Sequence, residues 1–181
     1  LLIVTATVAG TVAWLVDDTD PVVNTFSTSD IEVGLEETEA EYKMVPGFVI
    51  NKDPKAWIGA NSEEAWLFVN VVESDNFDDF MTYAIADGWT LLNSVTAGSS
   101  IDTAGEDNYV IYRKVSSEQI GTKYSILASD EVVVKTSVTK EMMSAEGFEE
   151  PTLTFTAYAH QLYSTNGTEF EPAVAWGNLT A

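Results

Sequence analysis

The chain contains no cysteine and a single histidine, His160. Without thiols it can form no disulfide, no thiolate nucleophile and no cysteine-based zinc site. One imidazole without a second, and without a His-Glu-x-x-His run, argues against a zinc hydrolase. The same histidine is the only available base for a serine triad, and no Gly-x-Ser-x-Gly elbow accompanies it. We therefore expect no enzymatic activity, and a packed or rim position for His160.

Basic residues are also scarce. The chain has 8 Lys and Arg against 29 Asp and Glu, a formal net charge of −21. Such a surface repels phosphate backbones, which argues against nucleic-acid binding. It also sets like subunits against one another, so any assembly must be driven by burial or helped by salt or divalent screening. Neighbouring carboxylates are unavoidable in so acidic a chain and do not by themselves indicate acid–base catalysis.

The remaining composition is that of a folded domain, with 181 residues, 45% of them hydrophobic, and an ample set of aromatics. Ala65–Val72 is almost entirely apolar, which is typical of a strand buried on both faces at the centre of a sheet. Thr152–Leu162 alternates, with Leu153, Phe155, Ala157 and Ala159 on one face. Further short strands are predicted at Val22–Ser29, Ile31–Leu35, Phe48–Ile50, Ala56–Ile58, Trp89–Leu92, Tyr109–Val115, Gln119–Leu127 and Glu131–Thr139.

Helical signals are few. The strongest is the i, i+3, i+4, i+7 spacing of Phe77, Phe80, Met81 and Ala84, which predicts a helix of about ten residues capped by Asp75 and closed by Gly88. Lys140–Ala145 is predicted as a helical turn, and Glu171–Leu179 as a short helix that holds Trp176 on the body. Many short strands and few helices predict an all-β fold, an antiparallel, jelly-roll-like β-sandwich with one or two short helices.

The opening run, Leu1–Val16, does not fit this scheme of short strands. It alternates with a period of two and has β-branched residues on both faces, which favours a strand over a helix. Extended at roughly 3.3 Å per residue it would reach about 50 Å, too long to serve only its own fold. One face carries the residues that we predict to form a donor strand: Leu2, Val4, Ala6, Val8, Gly10, Val12, Trp14 and Val16. The tail of a secretory signal peptide and a membrane or pilin-type helix are the alternatives, and the second is disfavoured because the run breaks at Asp17-Asp18.

An acidic turn follows, which we interpret as a hinge formed by Asp17, Asp18, Asp20 and Pro21. The predicted organisation is therefore a donor strand and hinge over residues 1–21 and one β-sandwich domain over residues 22–181. Calcium is the one cofactor that the sequence leaves open. Its candidate ligands, Asp17, Asp18, Asp20, Asp75, Asp78 and Asp79, match no twelve-residue calcium loop.

Several stretches at both ends and in the centre of the chain form a recognisable set: Gly10–Asp18, Asn24–Ile31, Val45–Gly47 through Asn61–Val69, Tyr158–Gln161 and Ala175-Trp176. Together they resemble the TasA/camelysin family of secreted bacterial matrix-fibre and surface proteins. The resemblance implies a jelly-roll subunit of extracellular fibres, in which the amino-terminal segment of one subunit completes the sheet of the next. It also implies export by the Sec route with a dedicated signal peptidase. Family members are expected to be cut near Ala13, whereas this sequence includes the residues before it.

Together these features predict a secreted, cell-surface structural protein that polymerises head to tail with itself, with accessory or anchoring subunits as further partners and no membrane span in the mature chain. An extended strand that enters a neighbour's groove gains main-chain hydrogen bonds and buries alternate side chains, which is β-augmentation. A monomeric surface adhesin or carbohydrate-binding sandwich is the alternative, with exposed aromatics among Trp57, Trp89 and Trp176 as its platform. A camelysin-like metallopeptidase is less favoured, because no zinc motif is present.

Overall fold

The computed structural model describes residues 14–16, 31–38, 41–92 and 107–180. Over these ranges the chain is built mainly of antiparallel β-strands. The strands are β1 Trp14–Val16, β2 Val33–Glu36, β3 Glu41–Lys43, β4 Val49–Asn51, β5 Lys55–Ile58, β6 Ala65–Glu73, β7 Met81–Ile85, β8 Thr90–Leu91, β9 Asn108–Val115, β10 Tyr124–Ser125, β11 Leu127–Val134 and β12 Leu153–Gln161. The helices are α1 Phe77–Phe80, α2 Lys140–Met143 and α3 Pro172–Thr180, with a 3-10 helix at Ser117–Gln119. The prediction of an all-β, antiparallel fold is confirmed.

The described strands form four sheets, in the orders β12-β6-β9-β8, β10-β5-β2, β4-β11-β7 and β1-β3. The four-stranded sheet is the largest, and β6 lies inside it, paired with β12 over nine residues and with β9 over eight. Alternate side chains of β6 are buried on opposite faces: Leu67 and Val69 on one, Trp66 and Phe68 on the other. The prediction of a central strand buried on both faces is confirmed, and the near-continuous apolar run is its cause.

The main core fills one side of this sheet. There the inner faces of β6, β9 and β12 meet buried side chains from the two three-stranded sheets, which include Val33, Ile58 and Val132. The inward residues of β12 are those expected from its alternation, Leu153, Phe155, Ala157 and Ala159, while Thr154 and Thr156 on the other face are half-buried. A period of two therefore places one row of this strand in the core.

Helix α3 covers the opposite face of the four-stranded sheet. The Trp176 ring packs 5.4 Å from the Phe68 ring and 5.1 Å, edge-on, from the Tyr158 ring. Trp66 Nε1 donates a hydrogen bond to the carbonyl oxygen of Phe170 at 2.8 Å, which fixes the segment that leads into the helix. The predicted short helix that holds Trp176 on the body is confirmed.

The predicted ten-residue helix that begins near Phe77 is wrong. Its first turn exists as α1, Phe77–Phe80, with Asn76 rather than Asp75 at the cap, and the chain then extends into β7. Within β7, Met81, Tyr83 and Ile85 point inwards and Ala84 is exposed. The apolar residues of this segment thus fit both the helical spacing and the every-second-residue spacing of a strand. Strand pairing with β11 decides between them, because tertiary context overrides a weak local preference.

Candidate assembly interface

Part of the predicted donor strand lies in a small ribbon. Strand β1 pairs antiparallel with β3, placing Trp14 opposite Lys43 and Val16 opposite Glu41, and within the described residues this ribbon joins none of the other three sheets. Six of the eight predicted donor residues, Leu2, Val4, Ala6, Val8, Gly10 and Val12, lie outside the described residues. The same is true of the predicted hinge, Asp17, Asp18, Asp20 and Pro21, and of the predicted strand Val22–Ser29.

The buried side chains that the structure describes lie after this segment in the chain. Among the described residues, the buried hydrophobic side chains begin at Ile31 and continue to Ala175. Within the described residues, the carboxyl end of the opening run pairs with β3, and the buried side chains that the structure describes belong to later elements.

Among the described residues, the three sheets other than the β1–β3 ribbon each end in two strands with one unpaired edge, and these edges differ in length. They measure two residues in β8 and β10, three in β4, four in β2 and five in β7. Strand β12 is far longer, with nine residues, and its ladder runs only to β6 within the described part of the chain. An unpaired edge offers backbone N–H and C=O groups to any strand that reaches it, so β12 is the most extended docking edge that the structure describes.

A second exposed feature is apolar. Val45, Phe48 and Val49 are exposed by 46%, 55% and 42%, and they lie together along the chain where it enters β4. Single exposed hydrophobic residues are common on protein surfaces, whereas neighbouring ones mark contact surfaces more often. Strand β4 is itself only three residues long.

His160 is a packed side chain. It is buried, its ring lies edge-on to the Phe170 ring at 4.8 Å between centroids, and it has a partner at each nitrogen. Nδ1 is 2.7 Å from the carbonyl oxygen of Gln161, and Nε2 is 3.2 Å from Nδ2 of Asn178. Because a carbonyl only accepts, Nδ1 donates and Nε2 accepts from the amide. Both ring nitrogens are thus engaged, and the Nε2 contact with Asn178 links α3 to β12; a packed position is what the sequence predicts for this residue.

Trp89 does not provide the exposed platform that the adhesin reading requires. It is buried, its Nε1 donates to the carbonyl oxygen of Ser125 at 2.8 Å, and the Arg113 guanidinium lies 5.3 Å from the ring centroid. Burial lowers the pKa of Arg113, whose guanidinium also stacks on the Tyr124 ring. For Trp89, the expectation of an exposed ring is wrong.

The other two candidate tryptophans are half-buried and packed. Trp57 lies across Gly34 on the neighbouring strand, where an added Cβ would come within 2.2 Å of the ring, and Lys123 Nζ stands 4.6 Å from its centroid. Trp176 is held edge-on against Tyr158. The aromatic side chains that the adhesin reading singles out are therefore used mainly to hold strands and helix together.

The carboxylates near α1 do not converge. Asp75, Asp78 and Asp79 are each exposed, and no three His, Cys, Asp or Glu side chains are placed to hold a metal ion in the part of the chain that the structure describes. The remaining calcium candidates, Asp17, Asp18 and Asp20, lie outside the described residues.

Among the described residues, no helix is long and apolar enough to cross a bilayer.

An open groove of about 500 Å³ lies beside α1, lined by residues 74–76, Phe80 and residues 145–149. Its polar groups hold its walls together: Asn76 Nδ2 donates to the carbonyl oxygen of Glu149 at 2.8 Å, and Ser74 Oγ donates to Asn76 Oδ1 at 2.7 Å. The Phe80 and Phe148 rings, which both line the groove, meet edge-on at 5.4 Å between centroids. The groove thus serves to attach the loop after α2 to the sheet.

A buried carboxyl group is the feature that sequence reasoning missed. Glu73, at the end of β6, accepts a hydrogen bond from the Tyr83 hydroxyl, which lies 2.6 Å from the Tyr109 hydroxyl. Burial raises the pKa of Glu73, and Asp78 and Asp107 raise it further against the opposing hydrogen bond from Tyr83. Burial also raises the pKa of Tyr83, which therefore remains a donor. The network links β6, β7 and β9 at one end of the core.

Glu73→Gln should make the chain less sensitive to pH. A raised pKa means that the folded state binds the proton more tightly, so the stability that Glu73 contributes is present in acid and is lost as pH rises through the folded pKa. Each unit of upward shift corresponds to about 1.4 kcal/mol. Between pH 4 and pH 7 the free energy of unfolding of the variant should therefore improve relative to the parent, as measured by urea denaturation.

The matched control is Glu141→Gln, which removes one negative charge from the exposed side of α2. It should change the pH profile of stability far less than Glu73→Gln. Equal profiles for the two variants would contradict the assignment of the effect to the buried carboxyl group.

Comparison with known proteins gives no identification: no family model matches the chain, and neither the curated proteins nor the solved structures contain a significant match.

Proposed function

We propose that this chain is a structural subunit of an extracellular filament, of a biofilm-matrix or pilus-like kind, that polymerises head to tail by donation of its N-terminal strand. The observation that carries the proposal is the uncharged, alternating run Leu1–Val16; its described part, β1, pairs with β3 and, among the described strands, with no strand of the other three sheets. A subunit of this kind is secreted, acts at the cell surface and has no catalytic role.

Burial of the run would supply the free energy of assembly. If Leu2, Val4, Val8 and Val12 each contribute roughly 1.5–3 kcal/mol, the gross gain is on the order of 10 kcal/mol before ordering costs. Left exposed, the same residues would form an aggregation-prone apolar strand. A partner surface therefore stabilises the run, and a second copy of the chain is the simplest partner.

Charge sets the conditions for assembly. Each subunit carries a formal charge of −21, so two copies repel one another unless salt screens them. The contact between a donor strand on one face and an edge on another does not close on itself, and repetition of it gives a filament. The jelly-roll connectivity implied by the family resemblance is part of this proposal, with the donated strand completing the sheet.

Electron microscopy of the purified chain tests the proposal. Above a threshold concentration we expect filaments, and that threshold should fall by about tenfold or more between 10 mM and 500 mM salt, because screening shortens the range of repulsion from roughly 30 Å to below 10 Å. Sedimentation of the same samples gives the threshold. A monodisperse monomer at all salt concentrations, together with glycan binding, would support the adhesin instead.

A further inference from the structure

The candidate acceptor edges differ in length, and this difference favours one of them. An incoming strand gains hydrogen bonds in proportion to the length of edge that it meets. In the part of the chain that the structure describes, the unpaired edges other than that of β12 span five residues or fewer. Strand β12 spans nine residues, about 30 Å at 3.3 Å per residue. The segment Leu1–Ala13, which precedes the β1–β3 ribbon, would reach about 43 Å when extended, enough to cover that edge.

The two faces of β12 match the two faces of the opening run. Strand β12 presents one row of buried apolar residues to the core and a half-buried row that includes Thr154 and Thr156. The opening run likewise has Val4, Val8 and Val12 in one row, and Thr5, Thr7 and Thr11 fall in the other. Alignment of like rows extends the apolar layer and brings threonines beside threonines, a favourable cross-strand pairing.

Charge favours the same edge. Neither Leu153–Gln161 nor Leu1–Val16 contains Asp, Glu, Lys or Arg, in a chain whose net charge is −21. The shorter edge strand β2, in contrast, carries Glu36, which lies opposite Lys55 of its neighbour β5. Within the described residues, β2 lies close to β12 without pairing with it, and the inward side chains of the two strands share one core. A strand added to β12 therefore adds no charged side chain to the contact.

From these observations we propose that the edge of β12 opposite β6, which is unpaired among the described residues, is the acceptor for the Leu1–Ala13 segment of a second copy of the chain. This inference rests on the proposed function and specifies its partner surface. The carboxyl end of the donor remains attached to its own subunit through the pairing of β1 with β3.

Disulfide trapping tests the inference, because the chain has no native cysteine. One batch of full-length chain carries Thr7→Cys, and a second, mass-tagged batch carries Thr156→Cys. The two are mixed under assembly conditions and oxidised. A disulfide needs Cα atoms about 4.4–6.8 Å apart, so Thr5→Cys, Thr11→Cys and Thr154→Cys complete a register scan. At least one combination should give heterodimer in about tenfold excess over the control, because only directly opposed positions meet this distance.

The control acceptor is Thr82→Cys, an exposed threonine on β7, which is the next longest edge. The control donor is Thr25→Cys, beyond the hinge. Heterodimer formation through Thr82 instead of β12, or from Thr25 instead of the opening run, would overturn the inference while leaving strand-dependent assembly intact. Absence of any assembly that depends on Leu1–Ala13, measured by sedimentation of the deletion variant, would overturn both the inference and the proposed function.

Discussion

Deletion of Leu1–Ala13 should leave a folded monomer under conditions in which the full-length chain forms filaments. The described core begins at Ile31 and the β1–β3 ribbon is retained, so the free energy of unfolding should change by less than about 0.5 kcal/mol. The deletion does, however, remove the segment that we propose as the donor, so filament formation should be lost. Analytical ultracentrifugation and electron microscopy measure assembly, and urea denaturation measures stability.

The same deletion variant should also terminate filaments of the full-length chain. It keeps the acceptor edge but has no strand to donate, so its addition at one end stops growth there. A few per cent of the variant should therefore shorten the filaments measurably. Val8→Asp in the full-length chain is the matched variant, because it keeps the length of the segment and places a charge in its apolar row. Filaments of unchanged length and number in either experiment would contradict head-to-tail strand donation.

Phe68→Ala should cost about 3–5 kcal/mol of folding free energy, the largest loss that we expect from a single side chain. The Phe68 side chain is fully buried in β6, and its ring lies 5.4 Å from that of Trp176 and 6.1 Å from that of Tyr112. Its removal leaves a cavity between the sheet and α3 that neither can fill. Chemical denaturation with tryptophan fluorescence measures the change.

Val174→Ala provides the comparison on α3, because Val174 is 53% exposed. This control should change the free energy of unfolding by less than about 0.5 kcal/mol. A loss below about 1 kcal/mol for Phe68→Ala would mean that α3 does not depend on the packing seen here.

Hydrophobic periodicity correctly predicted those elements whose pattern of apolar residues matches the faces on which they are buried. Ala65–Val72 is apolar throughout because β6 is covered on both faces, and Thr152–Leu162 alternates because β12 is covered by the core on one. The segment Glu171–Leu179 could be predicted to pack on the body for a similar reason, because the large apolar side chain of Trp176 favours burial. In each case the local pattern and the final environment agree.

The segment Phe77–Ala84 shows where such reasoning fails. Its spacing fits a helix, but Met81, Tyr83 and Ile85 fit a strand as well, and the partner that decides between them, β11, lies more than 40 residues later. The order of the strands in each sheet, and therefore which strand edges are left unpaired, depends on such contacts between strands that are distant in sequence. The exposure of a tryptophan is equally non-local: Trp89 is covered by Arg113 from another strand. Glu73 could not be distinguished from 28 other acidic residues for the same reason.

Amide hydrogen exchange across Leu1–Ala13 tests most directly whether this segment is completed by a neighbour. In samples below the assembly threshold these amides should exchange at rates close to those of an unstructured chain, and in filaments they should slow by about a hundredfold or more as strand hydrogen bonds form. Equal protection above and below the threshold would show that the segment pairs within its own subunit, and strand donation would then be wrong.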